Sequence, residues 1–273
     1  MRLTLGQLAP VPANPARNVE RIGAAVRAAP ADLAIFPELF VSGYRVGDRI
    51  HALALSPGGD DPVGRALLDL ARGTRTPILV GAPLRSAERP GELQNAAVVA
   101  RPDGSFAAQV KRYLPNFGPF EEGLAFSPTA ASRPIAVGPR SVGVEICYDV
   151  FFPEVTRELA LAGAELLVNV SASPITSRRL FEHLLPARAV ENGTPVVYVN
   201  RVGVEDGFVF GGGTGAWDHR GEPLDLEELP LDGLGPEERL YRVEVDPAAV
   251  GRWRPFRPVL RDLSSRPAPS ARE

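Results

Sequence analysis

Two periods of apolar and polar positions alternate along this chain. Residues 2–9 (RLTLGQLA), 32–39 (DLAIFPEL), 77–84 (PILVGAPL), 141–149 (SVGVEICYD), 165–173 (ELLVNVSAS), 195–203 (PVVYVNRVG) and 239–247 (RLYRVEVDP) are short apolar runs and predict strands. Between them, residues 14–29 set Val19, Ile22, Ala25 and Val26 at helical spacing behind an Asn14 cap. Helices are also predicted over 61–74, over 153–164 with Pro153 in the first turn, and over 177–194, where Pro186 is expected to kink or interrupt the helix. Two hairpins are expected, one in residues 93–114 around Pro102-Asp103-Gly104 and one in 213–224 around Arg220-Gly221. A connection rich in Pro and Gly runs from Pro115 to Pro139.

Strands alternating with helices give an α/β fold, and the hairpins make its sheets mixed. No linker or composition shift divides the chain, so residues 1–250 read as one domain. The Arg- and Pro-rich residues 251–273 are expected to form an arm that packs, or to be partly disordered.

Composition narrows the function. The chain has 273 residues, 44% hydrophobic and 23% charged, the balance of a globular protein. Its formal net charge of -3 argues against a grip on nucleic acid, which needs clustered Lys and Arg. No apolar run reaches membrane-spanning length, the N-terminus lacks a signal-peptide pattern, and one cysteine cannot make an internal disulfide; a cytoplasmic setting is expected. Three histidines stand apart without the spacing of zinc ligands, so no metal or other cofactor is expected. The stretch FGGGTG (210–215) lacks the Lys-Ser/Thr of a phosphate loop and reads as a tight turn.

Taken singly, Cys147 reads as a buried small hydrophobe, Glu38 as a surface cap and Lys111 as a solvated charge. Their placement changes that reading. Each falls at the end of a predicted strand, where functional groups of α/β sheets collect.

The segments AIFPELFVSGY (34–44), VKRYLPNFGPFEEGLAF (110–126) and GVEICYDVFFPE (143–154) resemble, in order and spacing, the three signature segments of the nitrilase superfamily of carbon–nitrogen hydrolases. The resemblance implies a four-layer α-β-β-α sandwich and a homodimer or higher homo-oligomer. It also implies Glu38 as general base, Lys111 as cationic stabiliser and Cys147 as nucleophile. The family's second glutamate falls on Glu122, in preference to its neighbour Glu121. The backbone N–H of Tyr148 would complete an oxyanion site. CYD followed by FPE resembles amidases more than nitrilases. FGPFEEGLAF, NVSASP and NRVGVEDGFVFGGGT resemble the glutamine-hydrolysing domain of glutamine-dependent NAD synthetases. This sequence ends where their synthetase domain would begin, so NAD synthesis is not expected of it.

The expected reaction is hydrolysis of a small linear amide to acid and ammonia through a thioester, with Lys111 favouring the thiolate. Nitrile or N-carbamoyl hydrolysis is the enzymatic alternative, and a silent metabolite- or partner-binding protein the alternative of another class. Glu122 could transfer protons or hold Lys111. Tyr44, Phe117, Ser171 and Ser173 are candidate substrate contacts; Ser171 and Ser173 could equally satisfy the turn before Pro174. Arg178 and Arg179 could attract a substrate carboxylate, against the simpler reading of a solvated helix start. Trp253 and Phe256, in the arm, are candidates to cross to a neighbouring subunit.

Overall fold

The computed structural model describes residues 1–264. Its strands, in chain order, are β1 (Arg2–Gln7), β2 (Leu33–Ile35), β3 (Ile78–Arg85), β4 (Leu93–Ala100), β5 (Phe106–Val110), β6 (Ile135–Val137), β7 (Arg140–Ile146), β8 (Leu166–Ser171), β9 (Val196–Asn200), β10 (Val202–Glu205), β11 (Phe208–Gly211), β12 (Gly215–Trp217), β13 (Glu227–Leu229) and β14 (Arg239–Glu244). The helices are α1 (Pro15–Ala28), α2 (Ile50–Leu53), α3 (Pro62–Thr74), α4 (Pro153–Leu161), α5 (Arg178–Asn192), α6 (Ala249–Trp253) and α7 (Val259–Ser264).

A seven-stranded sheet runs β13-β14-β1-β2-β3-β4-β5, and a five-stranded sheet runs β12-β9-β8-β7-β6. Their inner faces pack together: Leu3, Leu5, Leu33, Ile35 and Leu79 of the first meet Val142, Val144, Ile146, Val168, Val170 and Val199 of the second. Helices α1 and α3 cover the outer face of the first sheet through Ile22, Val26, Leu67 and Ala71. Helices α4 and α5 cover the second through Val155, Leu159, Phe181, Leu185 and Ala189. The result is the four-layer α-β-β-α sandwich. Because each central strand is buried on both faces, it reads as a nearly unbroken apolar run.

Caps and turns follow local chemistry. Asn14 accepts the Arg17 N–H, and Asp61 accepts those of Val63 and Gly64, closing the first turns of α1 and α3. The β4–β5 hairpin turns at Gly104, whose φ of +87° favours glycine.

Three features depart from the sequence reading. Residues 195–203 are two strands, because the chain leaves the five-stranded sheet after Asn200 and β10 pairs with β11 in a separate ribbon. Buried Arg201 causes the break: it ion-pairs with Glu205 and lies 4.0 Å over the Phe210 ring. Helix α5 continues through Pro186 rather than breaking. The proline removes one hydrogen bond, and burial of Phe181, Leu185 and Ala189 on either side holds the helix. Strands β6 and β13, three residues each, are too short to show a period. In the arm, α6 sets Trp253 against His219, and Arg254 donates to Thr194 and the Ala164 carbonyl of its own chain, while Phe256 is exposed. Residues 265–273 of the predicted arm lie outside the described residues. Among the described residues no helix is long and apolar enough to cross a membrane.

The turn that bears Glu38 depends on a glycine in the neighbouring strand. A Cβ on Gly81 of β3 would lie 2.3 Å from the Leu39 nitrogen and 2.4 Å from the Glu38 Cα, so only glycine lets this turn press onto the strand. Gly81→Ala is expected to cost about 1–3 kcal/mol, the range of core overpacking, as measured by urea denaturation. An unchanged midpoint would show that the turn yields without strain.

Candidate active site

Glu38 follows β2 on a turn fixed by Pro37 and by Leu39, whose φ is +48°. The Gly81 N–H donates to the Pro37 carbonyl at 2.9 Å, tying this turn to β3. Lys111 ends β5, and its N–H donates to the Asn95 carbonyl at 2.9 Å. Both side chains have 0% exposure. Buried charges persist only when paired and hydrogen-bonded, and these are. Lys111 Nζ donates to Glu38 Oε1 at 2.6 Å and to Glu122 Oε1 at 2.8 Å. Asn95 Nδ2 donates to Glu38 Oε1 at 2.8 Å and to Glu122 Oε2 at 3.3 Å, and the Ala172 N–H donates to Glu38 Oε2 at 2.7 Å. The Tyr44 hydroxyl donates to Glu122 Oε1 at 2.6 Å.

Cys147 opens the 3₁₀ turn Cys147–Phe151 after β7, with φ at +48°, a strained value for a residue with a Cβ. Asp149 holds that turn. Its carboxylate accepts the N–H of Ile146 at 3.1 Å on one side and those of Arg112 at 3.1 Å and Tyr113 at 2.9 Å on the other. One buried carboxylate thus pins the chain after Lys111 to the turn bearing Cys147.

The electrostatics follow from two carboxylates beside one ammonium. Burial would lower the Lys111 pKa, but Glu122 and Glu38 outweigh it and keep the ammonium charged. Burial lifts the Glu122 carboxyl against the downward pull of Lys111, with Glu38 adding to the rise. For Cys147, burial pushes the thiol well above its usual range, Glu38 adds to this, and the opposing pull of Lys111 does not offset them. The expectation that Lys111 favours the thiolate holds in direction, since Lys111 pulls the thiol down, but burial and Glu38 together outweigh that pull.

The remaining sequence candidates divide. Glu122 is buried in the cluster, while Glu121 is exposed. Tyr44 reaches the site by gripping Glu122. Phe117 is half exposed and packs on Phe120 and on Tyr148, beside Cys147. Ser171 is buried; its hydroxyl donates to Asn169 Oδ1 at 2.7 Å and lies beside the thiol. The Ser173 N–H donates to Asn200 Oδ1 at 2.9 Å, so its backbone serves the turn. Arg178 is exposed and pairs with Glu182. Sequence reasoning missed Asn95, Asp149 and the Ala172 N–H. Asn95 left a signal, an amide that with Gln94 interrupts the otherwise apolar strand LQNAAVVA. Among the described residues no group of three or more His, Cys, Asp or Glu side chains could hold a metal ion.

The family described as carbon-nitrogen hydrolase matches residues 2–255. The chain belongs to the carbon–nitrogen hydrolase family. Among its relatives, a hydrolase of Pseudomonas protegens is 35% identical over 210 residues, 76% of this chain and 71% of that protein. The glutamine-dependent NAD(+) synthetase of Rhodobacter capsulatus is 34% identical over 77% of this chain, which spans 38% of the synthetase's length. A solved structure of the amidase from Nesterenkonia sp. AN1, a variant with the acetamide moiety of fluoroacetamide added covalently at the active-site cysteine, is 31% identical with a TM-score of 0.73, covering 92% of each chain. Family membership and amidase neighbours support amidase-type hydrolysis.

Removing the ammonium tests the cluster. Lys111→Met leaves two buried carboxylates without their cation and is expected to cost about 3–5 kcal/mol in denaturant unfolding at neutral pH. A loss below about 1 kcal/mol would mean that the carboxylates do not depend on it.

Proposed function

We propose that this carbon–nitrogen hydrolase is a cysteine-dependent amidase, converting a small linear carboxamide to a carboxylic acid and ammonia through a thioester on Cys147. The supporting observation is the buried Glu38–Lys111 ion pair, held at 2.6 Å, within electrostatic reach of a cysteine on a strained strand-end turn. The covalent cysteine adduct of the Nesterenkonia amidase supports the same route.

An amide carbon is a weak electrophile, so attack needs an activated sulfur and a site that takes up the charge formed on oxygen. Glu38 takes the thiol proton while sulfur bonds to the amide carbon and the carbonyl electron pair moves onto oxygen. Lys111 and the Tyr148 N–H receive that oxyanion. The intermediate collapses, the C–N bond breaks, and Glu38 returns the proton to the departing ammonia. Water then adds to the thioester carbon, giving its proton to Glu38. The C–S bond breaks, the acid leaves, and sulfur regains a proton. The net charge of the site is unchanged by the attack on the amide carbon, because Glu38 is neutralised by the thiol proton as the negative charge appears on oxygen beside Lys111. Glu122 acts as a positioning group in this scheme: Tyr44 and Asn95 hold it, and it holds Lys111.

The test is ammonia release from panels of carboxamides, N-carbamoyl compounds and nitriles, with intact-mass analysis of the trapped enzyme. Carboxamides are expected to react, with an acyl group added on Cys147. Cys147→Ala is expected to lose on the order of 10⁴-fold or more in kcat. Turnover confined to nitriles or carbamoyl compounds would replace the carboxamide reading, and full activity in the alanine variant would end the thioester scheme.

A further inference from the structure

Beneath the turn that carries Cys147, under α4 and α5, lies a carboxylate that the amidase chemistry leaves unused. Val142, Val144 and Ile146 of β7 point into the core between the sheets, so strand alternation sends Glu145 to the other face. Glu145 is 3% exposed, and its Oε1 has no hydrogen-bond partner. Such a group is costly in a purely structural place.

One residue faces it from each surrounding element: Thr156 from α4, Asp149 from the 3₁₀ turn, Arg188 from α5 and Asn169 from β8. Arg188 is engaged elsewhere, donating to the Val150 carbonyl at 2.9 Å and to Glu191 at 3.1 Å. Asn169 is the register partner of Glu145 across the β7–β8 ladder. Its Nδ2 donates to the Cys147 carbonyl at 3.3 Å, and its Oδ1 accepts the Ser171 hydroxyl, which lies beside the thiol. Glu145 therefore stands beside Asn169, which reaches both the backbone and the sulfur surroundings of Cys147.

We propose that Glu145 is a positioning residue for Cys147: it orients Asn169, whose amide holds the Cys147 carbonyl and so fixes the strained turn that aims the thiol. This rests on the reading of Cys147 as nucleophile. Asn169 has two amide hydrogens. One goes to the Cys147 carbonyl, and the ionised carboxylate attracts the other; a protonated carboxyl brings its own donor and loosens the amide.

The strut is pH-dependent. Burial pushes the Glu145 carboxyl up to about 7, with Asp149 adding to the rise and Thr156, Arg188 and Asn169 pulling down. Asp149 titrates nearby, lifted by burial to about 6 against Lys111 and its backbone donors. Between 4.5, the ordinary glutamate value, and about 7 the folded chain binds more protons at Glu145 than the unfolded chain. The contribution of Glu145 to stability is therefore full below that window and is lost as pH rises through 7. The ionised form that best orients Asn169 is the less stable one.

The lone cysteine makes the test independent of any substrate. Iodoacetamide alkylation of Cys147 is followed by mass in the wild type and in Glu145→Gln, from about pH 5.5 to about pH 8.5. Taking the ratio of the two rates cancels the titration of the thiol and of Asp149, which both proteins share. The ratio of wild type to variant is expected to rise roughly two- to tenfold across pH 7, the worth of one hydrogen bond. The thermal midpoint of the variant is expected to gain on the wild type over the same rise. A second variant, Asn169→Leu, cuts the link while keeping Glu145, and its rate is expected to lose the same step. A flat ratio, or a step that survives in Asn169→Leu, overturns the positioning role while leaving Cys147 reactive. A wild type that iodoacetamide modifies only after unfolding overturns the positioning role, while the acyl adduct from a carboxamide decides the nucleophile reading separately.

Discussion

Burying one ammonium between two carboxylates is the constraint on which the rest of the site depends. Neither Glu38 nor Glu122 could stay in a dry interior alone, and Lys111 could not enter it without them. The ion cluster in turn demands donors for the remaining oxygen lone pairs. The Asn95 amide, the Ala172 N–H and the Tyr44 hydroxyl meet that demand. Burial and the Glu38 carboxylate together push the Cys147 thiol upward, against the pull of Lys111.

Strain at Cys147 is held by polar contacts from several directions. Asp149 fixes the entry and ties it to the chain beyond Lys111, while Asn169 fixes the Cys147 carbonyl. A positive φ at a non-glycine residue persists only when its surroundings over-determine it. Here the over-determination comes from carboxylates and amides that are themselves buried.

Much of this was legible in the sequence. The central strands, buried on both faces, announce themselves as apolar runs, and three motifs in order located Glu38, Lys111 and Cys147 together with Glu122. What remained hidden was set by contacts between distant segments. Nothing local marks the Ala172 N–H as a partner of Glu38, since main-chain donors leave no trace in residue type. Tyr44 read as a pocket wall, whereas its hydroxyl grips Glu122. The direction of the Cys147 shift was hidden for a similar reason: it depends first on how deeply the fold buries the sulfur and then on the sum of the charges gathered around it. Arg201 broke a strand that its neighbours, PVVYVN and VG, made look continuous.

The two sheets contribute different halves of this site. Glu38, Asn95 and Lys111 stand on or just beyond strands of the seven-stranded sheet, whereas Cys147 and Ala172 follow strands of the five-stranded one. The separation of the two halves is therefore set by the thickness of the apolar layer between the sheets, where Leu5, Ile35, Val144 and Val168 meet. That layer works as a gauge block: side chains with no polar atoms fix how far the Glu38 carboxylate stands from the Cys147 sulfur, and so, under the proposed chemistry, whether a proton can cross. Selection on reaction rate would then act on the volume of the hydrocarbon core as well as on the residues that perform the chemistry.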